Sequence, residues 1–191
     1  FANLGLFLAS IAYVYAVDTT TPANAAFLGS LTPLVAVLFT RFLGERLSMS
    51  TIVALAVGLV GLFVTVMSDL GAGSLIGNVA AFSASIGFAV YTVSIRTDST
   101  KDWSCVLPGY GALMIVVCTI VTVAKGNPLV PPLSNVGYAM AHGAVFIVGG
   151  TTMYNWAAKY VPAVPMTVFS QTETIAVPIL AYVVLDLAPK P

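Results

Sequence analysis

Residues 30–48 read SLTPLVAVLFTRFLGERLS, an apolar run that ends in Arg41, Glu45 and Arg46. Three charges within six positions stand out in a chain where 7% of residues are charged. Whether they form a site or a boundary depends on the medium around the run. Hydrophobic residues make up 59% of the 191 positions, and the mean hydropathy is +0.99. Soluble domains carry roughly 25% charged residues. A chain this poor in them has too little polar surface to cover a water-soluble globule.

The apolar residues fall into seven runs, at 1–17, 22–41, 50–68, 75–95, 104–124, 136–157 and 162–185. Each approaches the ~20 helical residues that a ~30 Å hydrocarbon core requires. The pattern predicts an all-α, polytopic transmembrane helix bundle and disfavours a soluble core protein. No basic stretch precedes the first run and no small-residue cleavage site follows it, as a secretory signal would need. The sequence opens at Phe1 inside one apolar run and stops at LDLAPKP just past another. Both ends read as cuts in a longer chain.

Short connections make neighbouring helices antiparallel, so alternate loops share a side. Arg41, Arg46, Arg96, Lys101 and Lys159 then fall on one side, and Lys125 and Lys190 on the other with Asp18, Asp69 and Asp186. Basic residues concentrate in cytoplasmic loops, which makes the Arg41 side cytoplasmic and the protein a multi-pass resident of the cell (inner or plasma) membrane. With zero formal net charge and no basic stripe, a nucleic-acid partner is not expected. The Arg41–Glu45–Arg46 cluster first marks the point where a helix leaves the bilayer, with Arg41 and Glu45 one turn apart. A cytoplasmic gate latch is its second reading.

Within the membrane, helices approach where small residues recur. Such pairs are Ala12 and Ala16, Ala25 and Gly29, Ala26 and Ser30, Ala54 and Gly58, Gly73 and Gly77, and Ser83 and Gly87. Pro33, Pro165 and Pro178 lie inside helical runs, where each frees a carbonyl and bends its helix. Polar groups at depth are few. Glu173 sits about eleven residues into its run, roughly 17 Å along the helix and close to the midplane. Ionisable groups there are expensive and usually face a cavity.

Thr167, Ser170, Gln171 and Thr174 share an arc with Glu173 at its edge, which gives the last run one polar face. His142 stands evenly between a packed imidazole and a cavity residue. Asn24 and Asn155 read first as hydrogen-bond partners between helices. Tyr13, Tyr154 and Trp156 read as headgroup-level aromatics that are also positioned to line a vestibule. Cys105 and Cys118 are too far apart to bridge each other and read as buried small hydrophobes.

Catalytic constellations do not occur. There is no HExxH, no GxSxG and no Walker A loop, and one histidine cannot build a multi-histidine metal site. No metal or cofactor is expected, nor an enzyme. A retinal protein would need a lysine in the last helix, and 162–185 has none.

Shifting the chain by 141 positions lays 1–45 on 142–186, so the runs 22–41 and 162–185 become equivalents that cross the membrane in opposite directions. Inverted repeats with an odd helix count are a transporter architecture with the solute at the repeat interface. At this point TPANAAFLGSLTPLVAVLFTRFLGERLS, Thr21–Ser48, resembles the fourth-helix signature of the drug/metabolite transporter superfamily, EamA-like branch, closed by Leu-Gly-Glu-Arg at Leu43–Arg46. TIVALAVGLVGLFVTV, Thr51–Val66, resembles the glycine-spaced fifth helix. VPAVPMTVFSQTETIAVPILAYVVLDLAP, Val161–Pro189, resembles the ninth, with Leu185 and Asp186 where relatives have Gly-Glu.

The resemblance implies ten helices in two inverted five-helix repeats, of which this chain holds helices three to nine. Residues 1–68 close the first repeat and 69–191 make most of the second. It further implies alternating-access transport of a small organic solute, by export or exchange. The charge at Glu173 suits a cationic or amphipathic solute or a proton, and the expected partners are a small-molecule solute, the lipid bilayer and a second copy of the chain in a homodimer. The candidate solute-contacting residues are Glu173, Gln171, Ser170, Thr174, His142 and Tyr154. A non-transporting membrane receptor or scaffold is the alternative.

The charge pattern has a direct consequence. In a Cys105→Ala, Cys118→Ala background, a cysteine at Ser99 is expected to resist membrane-impermeant thiol reagents in intact cells, while one at Asn127 reacts. The reverse pattern would overturn the orientation.

Overall fold

A computed structural model of the chain describes residues 1–44, 47–66 and 74–172. Every regular element among them is helical. In chain order these are α1 (Ala2–Thr19), α2 (Pro22–Gly29), α3 (Thr32–Leu43), α4 (Met49–Val66) and α5 (Leu75–Thr97). A 3-10 turn (Trp103–Cys105) leads into α6 (Val106–Ala124). Then α7 (Leu133–His142), a π-helical segment (Gly143–Val148) and α8 (Gly149–Ala157) form one long rod, followed by α9 (Ala163–Ser170). Taken with their direct continuations, these elements follow the seven apolar runs. Four segments, Ala2–Thr19, Leu75–Thr97, Trp103–Ala124 and Leu133–Ala157, are long and apolar enough to cross a membrane. The protein is an integral, multi-pass membrane protein.

The run 22–41 is not one helix. Thr21 caps its start by accepting a hydrogen bond from Asn24 N at 3.2 Å, with Pro22 in the first turn. The helix then stops at Gly29 and restarts at Thr32. Pro33 explains the break. It has no N–H for the Gly29 carbonyl four residues back, and its ring crowds that carbonyl. In hydrocarbon the freed carbonyls need other donors. Ser85 Oγ on α5 donates to Gly29 O at 3.0 Å and also to Leu28 O, and Thr32 Oγ1 adds a bond to Gly29 O at 2.8 Å. The helix closes at Gly44, whose φ of +69° is the left-handed geometry that ends helices. The glycine of the LGER signature therefore marks the end of α3; Glu45 and Arg46 lie outside the described residues.

The centre of the bundle is the crossing of α1 and α5. Gly5 and Gly87 face each other there, so closely that a Cβ on Gly87 would stand 2.6 Å from Ala9 N and 2.7 Å from Gly5 O. Small buried residues, Ala9, Ala12 and Ala16 on α1 and Ala81, Ala84 and Ser85 on α5, extend the seam. α3 and α9 pack on α5 through Val35, Ala36, Ala89 and Val164. α6 and the rod from α7 to α8 lie outside, with most of their apolar side chains exposed.

Several expectations need correction. Pro165 does not bend its helix, because it lies in the first turn of α9, where its N–H would have no partner in any case. Cys105 and Cys118 are exposed free thiols, not buried ones. The Ala54 and Gly58 pair faces outward, with nothing within 4 Å of a Cβ at Gly58.

The seam predicts opposite responses from two glycines. Gly87→Ala must push backbones apart and is expected to cost about 1–3 kcal/mol. Gly58→Ala, with open space around it, is expected to be neutral or to stabilise by up to about 1 kcal/mol. Reversible unfolding in mixed micelles reads both, and equal effects would contradict the crossing.

Candidate functional site

Polar side chains inside this apolar bundle gather where α5 meets α8. Phe88, Tyr91 and Thr92 are spaced i, i+3, i+4 on α5 and so share one face. The Tyr91 ring stacks on Tyr154 of α8, centroids 5.9 Å apart, and Phe88 closes the trio at 5.4 Å from Tyr154. The Tyr91 hydroxyl donates to Asn155 Oδ1 at 2.5 Å, and the hydroxyls of Thr92 and Tyr154 pair at 2.9 Å. Asn155 Nδ2 reaches the Trp103 carbonyl at 3.5 Å. One turn further along, Arg96 Nη1 donates to the Ala158 carbonyl at 2.9 Å and to that of Lys159 at 3.4 Å. That guanidinium sits at the C-terminal end of α8, where a cation complements the helix dipole.

α9 approaches this cluster through Met166, which shares a buried apolar core with Tyr91, and Tyr154 packs against that core. Thr167 is fully buried, and its hydroxyl donates to Val164 O at 2.8 Å. α9 gives way to a turn at Gln171 and Thr172. Ser170 Oγ and Gln171 Nε2 both donate to the Thr167 carbonyl, at 2.8 and 3.4 Å, and Thr172 Oγ1 donates to Phe169 O at 2.9 Å. The carbonyls of the last turn of α9 are thus met by side chains, as those of α2 are met by Ser85 and Thr32.

The sequence-derived candidates are only partly brought together. Ser170 and Gln171 stand at the α9 turn, and Tyr154 lies in the aromatic cluster beside α9. His142 is exposed at the end of α7, just before the π-helical segment. Glu173 and Thr174 lie outside the described residues. Asn155 joins helices as expected. Asn24 does not: its side chain is fully buried, yet neither amide atom has a hydrogen-bond partner among the described residues. Such a group costs about 1–3 kcal/mol, and nothing in the described packing accounts for it.

Among the described residues no cluster of three or more His, Cys, Asp or Glu is placed to hold a metal ion. The groups present are hydroxyls, amides and aromatic faces, which recognise a solute by hydrogen bonding and stacking.

Residues 1–67, which contain α1 to α4 and the Pro33 break, match the EamA-like transporter family. Over that segment, about a third of its length, the chain is similar to that family. Over 86 residues it is 33% identical to an uncharacterized transporter of Archaeoglobus fulgidus. That match covers 44% of this chain and 32% of the archaeal protein, so it spans about a third of the relative's length. One solved crystal structure superimposes with a TM-score of 0.77 at 25% identity, over 99% of this chain and 68% of the other.

Sequence reading passed over several residues of this site. Ser85, Tyr91 and Thr92 are ordinary polar residues in an apolar run, and the available signal was the i, i+3, i+4 spacing of Phe88, Tyr91 and Thr92 on one face of α5. Arg96 counted only toward topology, although its place at the end of a long run next to α8 makes it a cap.

Proposed function

We propose that the protein containing this chain is a secondary transporter. It moves a small organic metabolite or drug-like solute across the cell membrane by alternating access, as an exporter or exchanger, and it does no catalysis. The observation that carries this reading is a coincidence of register. At the offset of 141 positions, Pro22–Gly29 falls on Ala163–Ser170, so α2 and α9 coincide end to end, and the turn at Ser30–Leu31 falls on that at Gln171–Thr172. Helices that stop at a turn at corresponding positions of two repeats fit the discontinuous helices expected around a transporter's solute site. The similarity of residues 1–67 to the EamA-like transporter family supports the same reading.

The solute then lies between the two interruptions. Ser170 and Gln171 belong to the second turn, Glu173 and Thr174 follow it in sequence, and Tyr154 offers an aromatic face beside α9. His142, exposed at the end of α7, draws no support from this geometry. The loops bearing Arg96, Lys101 and Lys159 face the cytoplasm, and residues 1–68 and 69–191 are parts of two inverted repeats. An acid at mid-membrane depth that water reaches from alternate sides suits proton coupling or a cationic solute.

Proteoliposomes of the full-length protein separate these roles. If Glu173 carries protons, Glu173→Gln abolishes proton-driven accumulation and leaves solute exchange largely intact. If it binds a cationic solute, both fall together. Wild-type behaviour of the variant in both assays removes Glu173 from the site, and solute binding without flux in the parent would favour a receptor.

A further inference from the structure

A cleft of about 280 Å³ opens where the loop ahead of α6 meets α8. One wall is a single stripe, Thr152, Asn155, Trp156 and Lys159, spaced i, i+3, i+4, i+7 along α8 and its C-terminal end. The facing wall is Asp102, Trp103 and Ser104. Such a stripe places an ammonium, an indole and an amide opposite a carboxylate, at the end of a membrane helix.

The two charges are not used up by each other. Asp102 Oδ1 accepts from Ser104 N at 3.0 Å and from Ser104 Oγ at 2.6 Å, which caps the helix start. Asp102 Oδ2 accepts no hydrogen bond among the described residues. Asp102 and Lys159 do not approach within ion-pairing distance, and Lys159 pairs with no other described acid. The Ser104 hydroxyl and amide, then the Lys159 charge, hold the Asp102 carboxyl below the usual carboxylate range. The charges therefore face each other across a gap. A ligand carrying both signs closes that gap, whereas a purely anionic one meets Asp102 and a purely cationic one meets Lys159.

The outer flank of the cleft is apolar. Trp156 is 62% exposed and stands edge-on to Tyr160, ring centroids 5.2 Å apart, with Met153 exposed on the preceding turn. Indole and phenol side chains at helix ends lie at headgroup depth, with acyl chains along their apolar faces. We propose that this cleft binds the zwitterionic headgroup of an ethanolamine phospholipid, its ammonium on Asp102, its phosphate on Lys159, and its chains along Trp156 and Tyr160. A primary ammonium offers N–H donors to the carboxylate oxygen, which a quaternary one lacks. Asn155 bonds both Tyr91 and the Trp103 carbonyl, so an occupied cleft braces the α5–α8 contact.

The test uses the delipidated full-length protein in detergent, with melting temperature followed during titration with dihexanoyl phosphatidylethanolamine. Saturable stabilisation is expected, with weaker binding of the phosphatidylcholine and phosphatidylglycerol analogues. Asp102→Asn keeps the helix cap, and Lys159→Met keeps the apolar stem. Each is expected to weaken ethanolamine-lipid binding about tenfold, the scale of one lost charge-assisted hydrogen bond, without lowering the lipid-free melting temperature. Equal binding of the choline lipid, or unaltered binding by both variants, would overturn the proposal. Phosphoethanolamine binding as tightly as the lipid would also overturn it and assign the cleft to a free zwitterion. A preference for phosphatidylglycerol that depends on Lys159 alone would make it an anionic-lipid site instead.

Discussion

A backbone carbonyl inside a bilayer must find a donor within the protein, and Pro33 removes one. The structure meets the loss with two hydroxyls: Thr32 Oγ1 donates to the Gly29 carbonyl locally, and Ser85 Oγ reaches the carbonyls of both Leu28 and Gly29 from a neighbouring helix. That contact is possible only because α5 lies close to α2. α5 in turn lies where it does because Gly5 and Gly87 let it approach α1 at backbone distance. The interrupted helix, the small-residue seam and the position of α5 are thus one linked arrangement. A bulkier seam would withdraw Ser85 and leave only Thr32 Oγ1 on the Gly29 carbonyl.

The other end of α5 is held differently. There the side chains are large, and Tyr91, Thr92 and Arg96 tie α8 through a hydroxyl–amide bond, a hydroxyl pair and a capped helix end. α5 therefore carries a tightly packed seam toward α1 and a polar aromatic joint toward α8, and α3 and α9 rest against it between the two. Small residues give proximity without directionality, whereas hydrogen bonds in hydrocarbon fix register at a modest energy, ~0.6 kcal/mol on average. Together they hold α2 and α9, each ending in a turn, beside a fixed post.

Much of this was legible in residue order, for reasons that differ by residue. The helix count followed from the length of the apolar runs, because bilayer thickness sets it. A distortion at Pro33 was legible because a proline cannot donate to the carbonyl four residues back, but the expected bend is a break between Gly29 and Thr32. Pro165 was misread because its effect depends on where the helix starts, which an apolar run does not reveal. Cys105 and Cys118 were misread as buried because lipid-facing and protein-facing positions are equally apolar. Asn155 met the expected partner type, but Tyr91 could not be named from sequence, since polar residues in lipid pair across helices and leave no local pattern. Of the candidate residues, Ser170 and Gln171 stand at the end of α9, Tyr154 packs beside it and His142 ends α7, while Glu173 and Thr174 lie outside the described residues.

The most direct test of the Pro33–Ser85 constraint is a double-mutant cycle on unfolding free energy, with Pro33→Ala and Ser85→Ala in the full-length protein. Pro33→Ala restores an N–H to the Gly29 carbonyl, so the Ser85 hydroxyl loses most of its purpose there. In the wild-type background Ser85→Ala is expected to cost between about 0.6 and 1.7 kcal/mol, the range of side-chain hydrogen bonds in membranes. In the Pro33→Ala background the same change is expected to cost little. If Ser85→Ala costs the same in both backgrounds, within the ~0.5 kcal/mol typical of independent sites, the hydroxyl does not serve the proline break and the arrangement described here is wrong.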